Sequence, residues 1–427
     1  MSHTVSRRAV LRAAIGGGVA APLLAGCGAL MPASARPGAL SVHTQLSGAV
    51  AGAQVFAGAV TTYERRTGRT VALLKNGSDL PIVFETSSLA GEEADVALVN
   101  LQGRTLSWTG LGATIPVTRL LDEWGLRDRI IPDAVAEWTD ESGRLRAFPF
   151  TRTNWPVSFN TRLLEQAGVG IPTTSDELIA AADALRAKGI GPVTVGGSDW
   201  SGQKLFLQIV QGFLTAEEAK KVFRSGKLSE SPAAIAGVRH FVELRDAGVF
   251  IDNVQGYTSD SELTQFNTGK AAIVPAMSSA LAKVPAGRAK EVTVGGWPKP
   301  SRGGALEHPS VIRSFNGHGI WISENGAKKL DLIKPFVQYL YSDEVTDAMI
   351  LGSGRDMSRI TGTLSTNFPL VAQASRLTPQ QVSPVMLPDL VIPQSAFEPL
   401  VQATATAYGP ISAERIIDVF EKAYAAA

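Results

Sequence analysis

The chain has 427 residues, of which 44% are hydrophobic and 19% are charged, and its formal net charge at pH 7 is +1. This composition excludes an intrinsically disordered chain, and the length is sufficient for two domains, each with a sizeable core. Because the charge is close to neutral and lysine and arginine are not clustered, the sequence also lacks the electrostatic signature of a nucleic-acid-binding protein.

The first 26 residues have the pattern of a bacterial export signal. Residues 6–12, "SRRAVLR", carry three arginines and no acidic residue, and an uncharged, mostly small or apolar run follows them. This run is too short to cross ~30 Å of hydrocarbon, so we interpret residues 1–26 as a signal peptide and not as a permanent transmembrane helix. The arginine pair resembles a twin-arginine export motif, which implies export of a folded chain.

Cys27 is the one cysteine of the chain, and it follows directly on this signal. The run "LAGC" (24–27) resembles a bacterial lipobox, in which a diacylglyceryl group is attached to the cysteine sulfur and the chain is cut before it. The alternatives are a buried cysteine or an N-terminal core helix, and three adjacent glycines (16–18) disfavour the helix. The motif therefore predicts an extracytoplasmic lipoprotein, anchored by acyl chains such as palmitate to the outer face of the cell membrane, with residues 27–39 as its tether.

Strand-like and helix-like segments alternate after this tether. Residues 39–48 begin as a strand, 51–68 have helical spacing ended by Gly68, and 69–75 are a β-branched strand. The continuous apolar run "ADVALVN" (94–100) is typical of a strand buried on both faces.

The same alternation continues in the second half of the chain. Thr174 and Glu177 form a capping box for a helix that ends at Gly189, and "VTV" (193–195) predicts the next strand. Three more segments follow: a helix capped by Ser259 and Glu262 and ended by Gly269, a strand over 271–276, and a helix over 328–342 that Pro335 kinks or begins. This order predicts an α/β fold with mostly parallel sheets, whose ligand sites form at the carboxyl ends of the strands.

Residues 157–190, "VSFNTRLLEQAGVGIPTTSDELIAAADALRAKGI", are similar to the signature of the family 1 extracellular solute-binding proteins, the receptors of carbohydrate ABC importers. Phe159 and Ser175 stand where that family usually has Tyr and Trp. Four further stretches resemble family segments and occur in the family's order, namely 141–150, 266–279, 294–304 and 317–344.

The resemblance implies an α/β, two-lobed periplasmic-binding-protein-like fold with a hinge and an interlobe cleft. The chain would cross between the lobes near residues 151–156, near 312–317 and again after about 350. Lobe 1 would then hold residues 40–152 plus 316–350, and lobe 2 would hold residues 153–315 plus 351–427.

In this family the ligand is contacted by loops at strand ends. The side chains at the corresponding places, which we predict as ligand-binding, are His43, Gln45, Asn100, Gln102, Arg152, Asn154, Trp155, Asp199, Trp200, Ser278, Arg313, Asn316 and His318. Each has a structural alternative: a tryptophan or histidine can belong to the core, and Asp199 can cap a helix. Trp297 and Trp321 lie in strand-like runs, for which we favour the core.

The resemblance implies the substrate-binding lipoprotein of an ABC importer, a monomer that captures a mono- or oligosaccharide and delivers it to the permease transmembrane subunits. Arg152 and Arg313 keep a second ligand class open, a glycerophosphodiester or an acidic sugar. The segment "PAMSS" (275–279) lacks the tryptophan that many relatives have there. A receptor that reports to a membrane sensor would share the same fold.

A secreted glycoside hydrolase is the alternative from another class. The sequence has no Gly-x-Ser-x-Gly elbow and no His-Glu-x-x-His motif, and its five histidines show no metal-ligand spacing. A glycosidase needs only two carboxylates, whose pairing one sequence does not reveal. We therefore predict a binding protein without enzymatic activity, metal or cofactor.

Overall fold

The computed structural model describes residues 38–101 and 103–426. The predicted signal peptide, Cys27, nearly all of the tether and the candidate Gln102 lie outside these residues. Within them, no helix is both long and apolar enough to cross a membrane.

The described residues form strands and helices in alternation. The strands are β1 (Leu40–Thr44), β2 (Val71–Lys75), β3 (Val96–Asn100), β4 (Phe148–Pro149), β5 (Thr153–Trp155), β6 (Val157–Asn160), β7 (Gly191–Val193), β8 (Ala271–Pro275), β9 (Val292–Gly295), β10 (Ser310–Ser314), β11 (His318–Ile322) and β12 (Ser383–Val385). The helices are α1 (Ala53–Thr67), α2 (Leu80–Ala90), α3 (Thr118–Glu123), α4 (Pro132–Trp138), α5 (Thr161–Gln166), α6 (Ser175–Ala187), α7 (Trp200–Gln211), α8 (Ala216–Ser225), α9 (Pro232–Asp246), α10 (Ser259–Asn267), α11 (Ala286–Ala289), α12 (Leu330–Leu340), α13 (Asp343–Ser353), α14 (Pro369–Arg376), α15 (Gln394–Ala407) and α16 (Ala413–Ala425).

Two sheets, one in each lobe, carry the fold. The first has the order β2-β1-β3-β11-β4 and the second the order β7-β8-β6-β9. Each has its own apolar core: one joins residues 40–150 with 320–357, and the other joins residues 157–297 with 392–423. Trp321 belongs to the first core and Trp297 to the second, as their strand-like surroundings predict. The α/β, two-lobed fold expected from the sequence is therefore confirmed.

A third, small sheet is formed by the strands that cross between the lobes. Its order is β12-β10-β5, and β5 lies between β4 of the first sheet and β6 of the second along the chain. In the antiparallel pair β5–β10, Trp155 lies opposite Ile312 and Asn154 lies opposite Arg313. The lobe boundaries given above stay a prediction, and the first core extends beyond residue 350 to include Met357.

Strand direction agrees with the expected mostly parallel sheets except for one strand in each lobe. In the first sheet β11 runs against β3 and β4, and in the second sheet β6 runs against β8 and β9. Both reversed strands follow directly on a crossing strand. They enter their lobe on the side where the other strands end, so they must run in the opposite direction.

Several local predictions hold in detail. Gly68 ends α1 in the left-handed conformation, and Thr174 and Glu177 form the complete capping box of α6. Pro335 lies inside α12 and cannot donate to the carbonyl of Asp331, which instead accepts a hydrogen bond from Arg69 Nη1 at 3.5 Å.

Two local predictions are wrong. The strand expected at 193–195 is β7 and ends at Val193, because residues 191–193 pair with β8. The cap of α10 is Thr258 with Ser261, and not Ser259 with Glu262. The Glu262 side chain is instead buried against the loop after β7, where it accepts hydrogen bonds from the Gly196 N–H and the Ser201 hydroxyl.

Candidate ligand-binding site

A cavity of about 590 Å³ lies between the two lobes. Both lobes and the crossing strands contribute to its wall, at the carboxyl ends of β1 and β3 and at the start of the reversed strand β11. Its lining residues are Gln45, Ser78, Pro81, Asn100, Thr153, Trp155, Ser198, Asp199, Trp200, Lys204, Met277, Asn316, Gly317, His318, Arg355, Leu387, Asp389, Phe397, Glu398, Val401 and Gln402. The sequence-predicted candidates among them are Gln45, Asn100, Trp155, Asp199, Trp200, Asn316 and His318.

Two tryptophans form the aromatic part of this wall. The rings of Trp155, at the end of β5, and Trp200, at the start of α7, meet edge to face with centroids 6.3 Å apart. Within the described part of the chain, the indole nitrogen of Trp155 has no hydrogen-bond partner. The pair thus supplies apolar ring surface to the cavity wall.

Asp199 lies in the cavity wall and also caps a helix, which is the structural alternative that the sequence allowed. Its Oδ1 accepts hydrogen bonds from the Ser201 N–H and hydroxyl, each at 2.9 Å, and so caps α7. Its Oδ2 accepts from the Ser259 N–H at 2.8 Å, which ties α7 to the start of α10. Glu262 lies beside this cluster and is 2% exposed, and burial raises the pKa of its carboxyl well above the usual value.

The first lobe contributes amide side chains that are held by backbone groups. Gln45 Oε1 accepts from the Asn100 N–H at 3.2 Å, and Asn316 Oδ1 accepts from the Leu101 N–H at 2.6 Å. The side-chain oxygen of Asn100 is buried and has no partner among the residues the structure describes. These bonds fix the ends of β1, β3 and the crossing segment relative to one another.

His318 is a buried, uncharged histidine of the cavity wall. Burial, together with the charge of Arg355, lowers its pKa well below the usual value. Its Nδ1 lies 3.2 Å from the hydroxyl of Thr151, and its backbone N–H donates to the same hydroxyl at 2.7 Å. The neighbouring Gly317 is required here, because a Cβ atom would lie 2.3 Å from the carbonyl oxygen of Thr151.

The structure does not bring five other candidates to this cavity. His43 is buried within β1, where burial lowers its pKa, and Asn154 is buried in β5. The Arg313 guanidinium donates to the carbonyl of Leu377. Arg152 and Ser278 lie near the buried carboxylate of Asp356 and lower its pKa, against the larger effect of burial. A ligand contact of these residues, and of Gln102 outside the described residues, stays a prediction.

The sequence analysis missed a buried ion pair in the cavity wall. Lys204 Nζ lies 2.7 Å from Asp389 Oδ1, and both side chains are 3% exposed. The ammonium group also donates to Gln203 Oε1 at 3.1 Å and lies 5.2 Å from the ring centre of Phe397. One signal was available, because Lys204 follows Trp200 by four residues and such residues share a helix face.

Arg355 is the second charged group that the sequence did not reveal. It follows Gly354, which ends α13 in the left-handed conformation, and it is 6% exposed. Its Nε donates to the Ala51 carbonyl at 3.0 Å. Burial lowers the pKa of Arg355 to about 10, so the side chain is a cation at neutral pH. Nothing in the local pattern "GSGRDMSR" marks it as a cavity residue.

Glu137 holds the segment that crosses from β10 to β11. Its Oε1 accepts a hydrogen bond from the Ser314 hydroxyl at 2.7 Å, and the next residue on α4, Trp138, donates from its indole nitrogen to the Phe315 carbonyl at 3.0 Å. Burial raises the pKa of Glu137 to about 7, although hydrogen bonds from Ser314, Phe315 and Asn316 act in the opposite direction.

Two α/β lobes that are joined by crossing strands and share a polar and aromatic cavity define a two-lobed solute-binding protein. A comparison with known families agrees, because the sequence model of the bacterial extracellular solute-binding proteins matches residues 53–347. The chain belongs to this family. The resemblance stated from the sequence is therefore confirmed.

Solved structures with the same fold include a probable secreted solute-binding lipoprotein from Streptomyces coelicolor. It is 49% identical to this chain, the match covers 92% of this chain and 100% of that one, and the TM-score is 0.84. A chitin oligosaccharide binding protein is 20% identical, with coverages of 91% and 98% and a TM-score of 0.77, and it is similar in fold.

A curated relative is the probable sugar-binding periplasmic protein of Rhizobium meliloti (strain 1021). It is 26% identical over 187 residues, which are 43% of this chain and 42% of that protein. The chain therefore matches less than half the length of this relative.

Proposed function

We propose that this protein is the substrate-binding lipoprotein of an ABC importer, which captures a carbohydrate between its lobes and delivers it to the permease transmembrane subunits. The observation that carries the proposal is the interlobe cavity, because both lobes and the crossing strands line it. The curated relative and the chitin oligosaccharide binding protein are named for sugar binding, which supports a carbohydrate as the ligand.

The cavity has the chemistry that a sugar requires. The faces of a sugar ring are apolar C–H groups, which suit the surface of Trp155 and Trp200, while its hydroxyls need donors and acceptors. Two residues of the wall also have a buried polar atom without a partner in the described residues, the Trp155 indole nitrogen and the Asn100 side-chain oxygen. Each new hydrogen bond contributes ~1 kcal/mol, and more when one partner is charged.

Closure of the lobes would couple binding to recognition by the permease. Three strands cross between the lobes, and Trp155 and Thr153 of β5 also line the cavity. A ligand that contacts both lobes has higher affinity for the closed state, and only this difference shifts the equilibrium between open and closed forms. We therefore propose that the closed, ligand-bound form is the one delivered.

Two of the three carboxylates that line the cavity are engaged by groups of the protein, and the third, Glu398, is exposed at its solvent side. This arrangement supports binding without catalysis. Both oxygens of Asp199 accept hydrogen bonds from groups of the protein, and Asp389 is paired with Lys204. A glycosidase needs two carboxyl groups about 5 to 9.5 Å apart that are free to exchange protons or attack the sugar. We propose that the captured solute is released unchanged.

Replacement of Trp200 by alanine tests the proposed site. We expect neutral or acidic mono- and oligosaccharides to raise the melting temperature of the purified protein, because a ligand of the native state stabilises it by RT ln(1 + [L]/Kd). Trp200→Ala should weaken the binding of the best sugar by about tenfold or more, since ring stacking and burial are lost. Isothermal titration calorimetry measures both affinities.

Trp200→Phe is the matched control and should retain most of the affinity, since it keeps an aromatic face. Unchanged affinity of Trp200→Ala would remove this residue from the site. Hydrolysis of the bound sugar by the purified protein would contradict the proposal that no reaction is catalysed.

We propose a lipid anchor at Cys27 on the basis of the "LAGC" motif, and the Streptomyces coelicolor relative is itself named a probable secreted solute-binding lipoprotein. Cys27→Ser should move the protein from the membrane fraction to the soluble fraction or stall its processing, because two acyl chains are needed for stable anchoring. Cell fractionation with metabolic labelling by a fatty-acid analogue measures this change. Continued labelling of the Cys27→Ser variant would contradict the lipobox interpretation.

A further inference from the structure

The guanidinium group of Arg355 has unused donors at the cavity. The side chain is 6% exposed and lines the cavity, and its Nε is bonded to the Ala51 carbonyl. Within residues 38–101 and 103–426, neither terminal nitrogen of Arg355 has a hydrogen-bond partner. No carboxylate oxygen of these residues lies within 4.0 Å of the guanidinium group, in contrast to the ion pair of Lys204. A buried cation without such partners is unfavourable, so a bound group that supplies them is stabilised.

The acidic groups near Arg355 have other partners. Asp199 accepts hydrogen bonds on both of its oxygens, and Asp389 is paired with Lys204. Asp356, next to Arg355 in the chain, accepts from the Ser375 hydroxyl at 2.7 Å. It interacts with the charges of Arg152 and Arg355, but it lies within 4.0 Å of neither guanidinium group in the described residues. His318 is uncharged. Of the two cations in the wall, Lys204 is thus paired with a carboxylate, whereas Arg355 forms no ion pair within the described residues.

Glu398 is the remaining carboxylate of the wall in the described chain. It is exposed and lies on the first turns of α15, where it also borders a groove with Ser78, Ile82 and Arg104. It is thus placed at the solvent side of the cavity, while Arg355 is placed in its buried part.

We propose that Arg355 binds an anionic oxygen group of the solute, a carboxylate or a phosphate, and that the solute is an acidic sugar. This inference rests on the proposed sugar-binding function. A guanidinium group presents two parallel N–H donors that match the two oxygens of such a group, and charge-assisted hydrogen bonds are roughly twice as strong as neutral ones. Arg152 and Arg313, which suggested an acidic ligand from the sequence, do not line the cavity; Arg355 supplies that chemistry.

Matched neutral and acidic probes test the proposal by calorimetry. The probes are galactose, galacturonate and galactose 1-phosphate, and glucose, glucuronate and glucose 6-phosphate, followed by neutral and acidic oligosaccharide fractions separated by anion exchange. The acidic member of at least one matched set should bind about tenfold or more tightly than the neutral member. Comparison of the uronates with the sugar phosphates shows whether the anionic group is a carboxylate or a phosphate.

Variants assign the effect to this residue. Arg355→Gln should lower the affinity for the acidic member about tenfold more than the affinity for the neutral member, and so remove the preference. Arg355→Lys keeps the charge but not the paired donors, and it should retain an intermediate preference even where the glutamine variant folds poorly. Arg359→Gln, four residues along the chain and outside the cavity, is the control and should bind as the parent protein does.

The outcomes separate this inference from the proposed function. Tight binding of neutral sugars with no preference for acidic ones would overturn the role of Arg355 and leave the proposed function intact. An equal loss of neutral and acidic binding in Arg355→Gln would also overturn it. Absence of binding for every sugar and fraction would contradict the proposed function itself and, with it, the acidic ligand.

Discussion

Replacing Lys204 by methionine should lower the free energy of unfolding by about 3 to 5 kcal/mol, because it leaves the buried carboxylate of Asp389 without a counter-charge. In the native protein the two charges are 2.7 Å apart and both side chains are 3% exposed. Urea unfolding of parent and variant at neutral pH measures the difference.

Two further variants show that burial causes the effect. Lys220, on the exposed surface of α8, forms an ion pair with Glu217 at 2.9 Å, and Lys220→Met should change the stability by less than about 1 kcal/mol. The double variant Lys204→Met with Asp389→Leu should recover most of the lost stability, since it replaces both charges by apolar groups. A Lys204→Met variant as stable as the parent would show that this pair is not needed for the fold.

Raising the pH from about 4.5 to about 7 should destabilise the native protein through Glu137. The pKa of this carboxyl is about 7 in the folded protein and 4.5 for an ordinary glutamate, so the folded state holds the proton over this range while the unfolded state releases it. The stabilising contribution is complete below the lower value and is lost as the pH rises through the upper one. This contribution of Glu137 to the free energy of unfolding is about 1 to 3 kcal/mol.

Glu137→Gln removes the ionising group. Above pH 7 its free energy of unfolding should therefore exceed that of the parent by a nearly constant amount, and this difference should disappear toward pH 4.5. Thermal unfolding of both proteins across this range gives the comparison. Asp133→Asn, at an exposed position of the same helix, is the control and should follow the parent. An identical pH dependence for Glu137→Gln and the parent would show that the pKa of Glu137 is the same in the folded and unfolded states.

These two sites indicate how the cavity is kept in place. Lys204 and Asp389 connect α7 of the second lobe to the segment that follows β12, and Glu137 connects α4 of the first lobe to the segment between β10 and β11. Both contacts hold segments next to the crossing strands. Buried polar contacts thus hold the surroundings of the crossing strands. The energies of such contacts change with protonation and with bound ligand more than the energy of apolar packing does.

The sequence by itself determined the local elements of this protein. Apolar runs predicted β1, β2 and β3, the capping box at Thr174 and Glu177 predicted the start of α6, and Gly68 predicted the end of α1. The resemblance of residues 157–190 to a family signature then indicated two lobes. These features could be predicted because a buried face, a helix cap or a left-handed turn leaves its mark within a few neighbouring residues.

Four of the candidates that line the cavity lie next to the ends of strands. Gln45 and Asn100 follow parallel neighbouring strands, and Trp155 and His318 lie where the chain enters a lobe, so all four reach the same cavity. Their binding of a ligand stays a prediction. Arg152, Ser278 and Arg313 were chosen in the same way and do not line the cavity, so a strand end by itself did not decide which side chains reach it.

Only the tertiary structure decided which distant segments complete the cavity. Asp389 pairs with Lys204, and Arg355 joins the cavity wall, only because the chain has crossed between the lobes. The sequence around Asp389 and around Arg355 has no repeating pattern that would predict these positions. The same holds for Arg313, which the register of β10 places opposite Asn154 with its guanidinium on the Leu377 carbonyl. Local periodicity specifies which face of an element is buried, whereas the identity of the group that covers it depends on the packing of the whole chain.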